Sequence, residues 1–250
     1  SWAISWDKSI RSDRRFFGFT TTAYTRAPSN YALAANGIHH GTFRFEQGNP
    51  NLKPETGFEI RSSIKLSNFT ENLNFEINSF ASLHKGFIHL KPTASFAPIA
   101  HGGQIYAFQA TDAFRTGFEM DVNLQRGKSL FKTTSSILGQ WALETGLGLP
   151  FTPPLDLFNS YSYSIRDHLT ITLSQRAIAP TYILARNEDF TEGVSLFGCE
   201  LKLISDQEGT FHFKVDNILN RSWLDHISAY RALGIVTQGR WWLLSWSKNI

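Results

Sequence analysis

Residues 118–125 read Phe118-Glu119-Met120-Asp121-Val122-Asn123-Leu124-Gln125, apolar and polar in strict alternation. Successive side chains of a strand point to opposite faces, so this stretch has one apolar and one polar face. The same pattern recurs on both sides of it. Phe58, Ile60, Ile64 and Leu66 alternate with Glu59, Arg61, Ser63 and Lys65. Leu169, Ile171 and Leu173 alternate with Thr170, Thr172 and Ser174, and Phe211, Phe213 and Val215 with His212, Lys214 and Asp216. No stretch carries a helical period over ~11 residues.

The chain therefore reads as all-β, with roughly eleven strands: 2–8, 15–25, 56–67, 73–90, 105–125, 130–142, 157–166, 169–178, 194–204, 210–217 and 240–247. The 105–125 strand is longer than the ~5–6 residues usual in soluble sheets. It also exceeds the ~9–11 residues that cross a bilayer, so it must project beyond the membrane or bend.

The connections alternate short and long without a break. Short ones are Ser9–Arg14, Asn68–Asn72, Arg126–Ser129, Asp167–His168 and Asp206–Gly209. Long ones are Arg26–Glu55, Lys91–Gln104, Leu143–Asp156, Ala179–Gly193 and Ile218–Gly239. Outer-membrane barrels put short turns at the periplasmic end and long loops outside, whereas a soluble sandwich has no such asymmetry. The apolar strand face would meet lipid and the polar face a water-filled or plugged lumen. By parity the final strand runs downward, leaving Ile250 in the periplasm.

Composition narrows the classes. Of 250 residues, 14% are aromatic and 18% charged, which excludes a disordered chain and a coiled coil. One cysteine, Cys199, allows no internal disulfide and no cysteine-based zinc site. The net charge of +3 comes from scattered Lys and Arg, without the basic stripe of a nucleic-acid binder. Trp2, Trp6, Trp141, Trp223, Trp241 and Trp242 fall near predicted strand ends, which suits interfacial aromatic girdles. The chain starts at Ser1 within a strand pattern, as a fragment or processed product would.

Five stretches, in order, carry a resemblance. They are 36–46 (Asn36 to Glu46, containing His39-His40 and Arg44), Gly48-Asn49-Pro50-Asn51-Leu52-Lys53-Pro54-Glu55, Ala113-Phe114-Arg115-Thr116-Gly117-Phe118-Glu119, Leu149-Pro150-Phe151-Thr152-Pro153-Pro154, and 215–226 from Val215-Asp216-Asn217 to His226. Together they resemble the barrel of TonB-dependent outer-membrane receptors. The resemblance implies a barrel of about 22 strands holding an N-terminal plug, of which residues 1–250 are the C-terminal portion, about the last eleven strands. It also implies a TonB-type energy-transducing partner engaged through the missing plug, outer-membrane lipid around the wall, and the barrel-insertion machinery. Such barrels end on an aromatic residue; here Trp246 is followed by Ser247-Lys248-Asn249-Ile250.

The motif residues also have a plain physical sense. Pro50 and Pro54 pre-set extended backbone, and Gly48-Asn49 is a turn signal. Gly117 omits a side chain where the sheet must bend or the plug must approach. Glu119 and Asp121 are expected to face wall Arg or Lys. No hydrolase, metalloprotease or phosphate-loop motif is present, so no catalytic residue is assigned. His39, His40, His101 and His226 fall in predicted outer loops, with His84 and His89 near the outer end of a rising strand. Imidazole binds zinc, copper, iron and nickel. His39, His40, Arg44, Glu46 and His101 are thus the candidate ligand-binding set, with His39 and His40 as metal ligands if that segment turns.

The function this supports is energy-coupled uptake of a scarce nutrient across the outer membrane of a Gram-negative cell. The cargo would be a metal or metal chelate such as a siderophore, haem or cobalamin, with no permanently bound cofactor. The alternative is a passive porin or structural barrel. A soluble carbohydrate-binding sandwich is the weakest reading.

Overall fold

A computed structural model describes residues 1–10, 14–42, 44–67, 72–99 and 103–248. In chain order the elements are β1 (Trp2–Ile10), β2 (Arg15–Arg26), α1 (Asn30–Ala34), β3 (Asn36–His39), β4 (Arg44–Gln47), β5 (Glu55–Leu66), β6 (Leu73–Phe96) and β7 (Gln104–Arg126). They continue with β8 (Ser129–Ala142), β9 (Asp156–Arg166), β10 (Leu169–Ile178), β11 (Val194–Ser205), β12 (Gly209–Asp216), a 3-10 turn at Arg231–Leu233, and β13 (Trp241–Ser247).

All thirteen strands belong to one sheet. Its path is β1-β2-β5-β6-β7-β8-β9-β10-β11-β12-β13, an antiparallel meander of eleven strands, as the alternation predicts. Among the described residues the sheet does not close: β1 pairs only with β2 and β13 only with β12, so both outer edges are open.

The register sorts side chains onto two faces. One face carries the row Phe17–Ile64–Ile77–Met120 and, farther along, the row Ile171–Leu201–Phe213–Leu244. The other carries Thr22–Glu59–Ser82–Arg115–Gln140 and Lys65–Glu76–Asp121–Thr134. Ile60, Phe118 and Leu173 are exposed, and among the described residues the buried apolar side chains are few: Ala32, Tyr106, Ala113, Leu149, Ala185 and Val215. No described element packs on this apolar face, as the lipid-facing side of an outer-membrane barrel requires. Polar side chains on that face pair across strands: Ser62 with Ser79 at 2.8 Å, and Thr133 donating to the amide oxygen of Asn159 at 2.8 Å. Lipid offers no other partner.

Several expectations need correction. The 26–55 connection is not structureless. It holds α1, too short to show a period, and the β3–β4 hairpin, whose second strand joins β7 in parallel at Phe45↔Ile105. The 91–104 loop is shorter than expected, because β6 continues through Pro92 to Phe96. The long β6–β7 pair bends at a bulge between His84 and Phe87, where Gly86 takes φ +68°. Glu119 stands opposite Asn78 and Ser136, and Asp121 opposite Glu76 and Thr134, so neither faces a basic residue directly. Gly117 makes room for Phe80: a Cβ there would lie 2.9 Å from the Phe80 ring and 2.6 Å from the Ile137 carbonyl oxygen. Trp6 sits in the middle of β1, opposite Phe19, and not at a strand end.

Candidate functional site

The long connections share one rim, and the Gly48–Glu55 motif builds its first corner. Ser29 caps α1 by accepting from Ala32 N at 3.1 Å. The helix end then rests on the motif. Gly48 N donates to Ala35 O at 2.6 Å and Asn49 N to Ala32 O at 2.8 Å. A Cβ on Gly48 would strike the backbone of Ala34 and Ala35, at 2.7 and 2.6 Å. Asn49 Oδ1 accepts from Asn51 N at 3.0 Å, closing an Asx turn. Pro50, Leu52 and Pro54 carry the chain from there into β5. Glu55, 1% exposed, ends the motif.

Glu55 serves the bulge in β6. An extra residue leaves ladder N–H groups unmatched, and carboxylates supply acceptors. Ile88 N donates to Glu55 Oε2 at 3.0 Å, and Gly86 N to Asp112 Oδ1 at 2.8 Å. Arg26 neutralises Glu55 at 2.9 Å. Below the bulge, Tyr24 Oη lies 3.2 Å from His84 Nδ1, and His84 Nε2 2.9 Å from Ser82 Oγ. His84 is buried and both its nitrogens are engaged, so it is wall structure. His89 Nδ1 faces Phe87 O at 3.3 Å.

Two expected ligand residues turn inward. Glu46 is buried and accepts a hydrogen bond from Tyr31 Oη. That bond, with some burial, pushes the Tyr31 phenol up to about 12. Arg44 lays its guanidinium against the stacked pair of Tyr106 and Phe151, whose centroids are 5.9 Å apart, at 4.5 Å from the first centroid and 4.6 Å from the second. Phe151 has φ +60°, a left-handed conformation that bulky residues seldom adopt and that costs about 1–3 kcal/mol.

Phe151 is held there from its other side. Its N–H donates to Glu188 Oε1 at 3.0 Å, and Ala185 N to Oε2 at 3.1 Å. His226 Nε2 lies 3.4 Å and Arg231 Nη2 3.6 Å from the same Oε1. Burial raises the Glu188 carboxyl, but His226 and the two backbone donors outweigh it and hold it below its ordinary value. Arg231 Nη1 donates to Asp189 O at 2.9 Å. Its neighbour Tyr230 donates to Gly41 O at 2.7 Å, in the hairpin that carries Arg44. The contacts thus close a circuit through the connections 27–54, 143–155, 179–193 and 218–240.

His39 is the last residue of β3, paired with Arg44, and His40 opens the turn of the β3–β4 hairpin, so only His40 lies in a turn. His39 Nδ1 lies 3.2 Å from Thr42 Oγ1. His101 lies outside the described residues. Among the described residues no group of three His, Cys, Asp or Glu side chains is close enough together to hold a metal ion. The later motifs anchor loop ends. Leu149 is buried and Thr152 Oγ1 donates to its carbonyl at 2.6 Å, just before Pro153 and Pro154. Asn217, φ +51°, grips Arg221 with both side-chain ends at 2.8 and 2.9 Å.

Tyr106, Glu188, Tyr230 and Arg231 join the site without having been singled out from sequence. Their partners lie far away along the chain, and local spacing does not mark them. Arg44, Phe151 and His226, each inside one of the five quoted stretches, were the handles on the cluster.

A profile of TonB dependent receptor-like β-barrels matches residues 3–207. No curated protein sequence matches the chain. Solved structures do. The copper transporter OprC superimposes with TM-score 0.81 at 14% identity, over 96% of this chain and 38% of its own. The siderophore receptor PirA from Acinetobacter baumannii gives TM-score 0.65 at 17% identity, over 96% and 40%. The ferric-catecholate import receptor Fiu from K12 E. coli gives 0.65 at 14%, over 97% and 34%. The chain spans about two fifths or less of each, and at these identities the likeness is one of fold.

Proposed function

We propose, for a chain that belongs to the TonB-dependent receptor-like β-barrel family, that it forms wall and outer rim of an outer-membrane receptor for energy-coupled uptake. The observation that carries this reading is the linked four-loop rim on a sheet with one bare apolar face and one polar face. A passive pore does not need its loops tied into one circuit. A receptor that must capture a dilute solute gains from a preorganised mouth.

On this reading residues 1–250 are the C-terminal portion of a larger barrel. The apolar face meets lipid, the open edges of β1 and β13 join the remaining strands, and the chain ends on the periplasmic side after insertion by the barrel-assembly machinery. The polar face receives a plug, and a TonB-type partner acts through that plug. The receptor performs no covalent chemistry and keeps no resident cofactor.

The cargo is a metal or metal chelate. The names of the similar structures, a copper transporter and siderophore receptors, support that class. His39 and His40 are the imidazoles available at the hairpin tip, with His101 as a further donor. Arg44 and Glu46 contribute by holding that hairpin in place. The test uses cells in which the full-length receptor is the sole candidate route. Growth under metal starvation should depend on the receptor and fall when His39 and His40 are both replaced by Ala, with barrel assembly intact. Growth that never depends on the receptor, for any metal or chelate supplied, contradicts the reading.

A further inference from the structure

On the apolar face, one row of paired residues crosses β1, β2, β5, β6, β7 and β8 near the long connections: Trp2–Ala23–Phe58–Leu83–Phe114–Trp141. Tryptophan at both ends suits interfacial depth. Every member is large except Ala23, which leaves a gap between Trp2 and Phe58. The next row toward the rim on this face is polar: Thr25, Thr56 and Lys85. The gap and these three residues belong to one groove of about 610 Å³, which Leu83 and Leu143 also line. Trp2, Phe58, Leu83 and Leu143 are all exposed there.

The bulge in β6 puts Lys85 in that row. Between His84 and Phe87 the chain carries Lys85 and Gly86 against the single Asp112 of β7. A bulge re-aims a side chain; here Lys85 stays opposite Thr56 and is released from β7. The carboxylates beside it are committed, Glu55 to Ile88 N and Arg26, and Asp112 to Gly86 N. Lys85 is exposed, and among the described residues it has no ion pair. An ammonium without a counter-ion, above an apolar trough, matches the order of a phosphorylated lipid: anion toward the rim, acyl chain below.

We propose that this groove seats one lipid of the outer leaflet, an acylated phosphosugar. Its phosphate takes the Lys85 ammonium in a charge-assisted contact. Its sugar hydroxyls meet Thr25 and Thr56, which can both donate and accept. An acyl chain lies over Ala23, between Trp2 and Phe58. The site rests on the reading that this face meets lipid with the long connections outside, and the groove is continuous with that face. Its volume falls in the ~300–1,000 Å³ range of small-molecule sites, which suits a single lipid and not a protein partner. A seated lipid spans β1, β2, β5 and β6 just below the corner that Glu55 caps, and fixes the depth of the wall there.

The test titrates the full-length receptor in detergent with purified lipid A, a phosphorylated and acylated glucosamine disaccharide, and reads bound lipid by native mass spectrometry. Phosphatidylglycerol, also anionic, is the comparison. The parent should retain lipid A in preference to phosphatidylglycerol. Lys85→Gln should lower the affinity for lipid A about tenfold, the worth of one charge-assisted hydrogen bond. Ala23→Trp fills the gap and should also lower it. Arg126→Gln removes an exposed cation from the same face at the short-turn end of β7 and should leave it unchanged. Equal retention of the two lipids overturns the proposal, as does an equal loss in Lys85→Gln and Arg126→Gln. If Ala23→Trp does not assemble, Lys85→Gln decides: unchanged affinity in that variant overturns the site. A parent receptor that fractionates with the outer membrane but retains no lipid A overturns the site alone. One that does not partition into membrane overturns the lipid-facing reading with it.

Discussion

The Arg44 guanidinium lies 4.6 Å from the centre of the Phe151 ring, and Phe151 adopts φ +60° where it is held. The strain sits in a residue that touches two other loops, where its cost is offset by the contacts it permits. Replacing Arg44 with Ala removes a cation that lies against both rings of a stacked pair, a loss of about 1–2 kcal/mol. Arg44→Lys should not restore it, because a compact ammonium cannot lie against both rings at once as a planar guanidinium does. Limited proteolysis on intact cells should cut the 143–155 connection faster in both variants. Unchanged cutting would remove this stack from the rim's support.

Ile171 and Thr172 test the two faces. Ile171 stands between Tyr163 and Leu201, whereas Thr172 stands between Ser162 and Glu200. Ile171→Arg should cost about 2–4 kcal/mol near the midplane. Thr172→Arg should be tolerated beside Glu200. Folding titrations of the full-length barrel in lipid give both values, and equal values would reverse the assignment of faces.

Glu55 gives a prediction at a single amide. Glu55→Ala leaves the Ile88 N–H without its acceptor, at about 1–3 kcal/mol. Glu55→Gln keeps an acceptor oxygen and loses only the ion pair with Arg26, whose side chain is 63% exposed, so it should cost less. Hydrogen exchange at the Ile88 amide should quicken markedly in the Ala variant and little in the Gln variant. Equal exchange in the two would mean that the carboxylate does not cap the bulge.

The sign of the Glu188 effect follows from its depressed pKa. The folded value lies below the ordinary 4.5, so its stabilisation is fully present above about 4.5 and lost as pH falls through the lower folded value. Glu188→Gln should therefore loosen the rim at neutral pH. The difference from the parent should shrink below the ordinary carboxylate range. Thermal denaturation followed by a fluorophore at Leu233→Cys checks this, and a difference that grows with acid would contradict it.

The wall was legible in the sequence because lipid and lumen impose a period of two on every strand, as residues 118–125 show. The eleven-strand meander and its long connections at one rim followed from that period and from loop length. The contents of the connections were not legible. Helix α1 is five residues long, shorter than any period can reveal. Tyr230 and Gly41 are 189 positions apart, and Phe151 and Glu188 are 37 apart. Such pairs carry no local pattern. Arg44 and Glu46 were noticed for their charge, but charge alone could not show that Tyr31 and two aromatic rings already occupy them.

Energy coupling separates a receptor from a passive barrel, and one measurement addresses it. Cells carrying the full-length receptor are starved of metal, and uptake of a labelled metal chelate is followed with the TonB-type partner present and deleted. Uptake should collapse when the partner is deleted, while surface binding of the chelate persists on the intact rim. Uptake that continues at the same rate without the partner would make the barrel a passive pore and contradict the account.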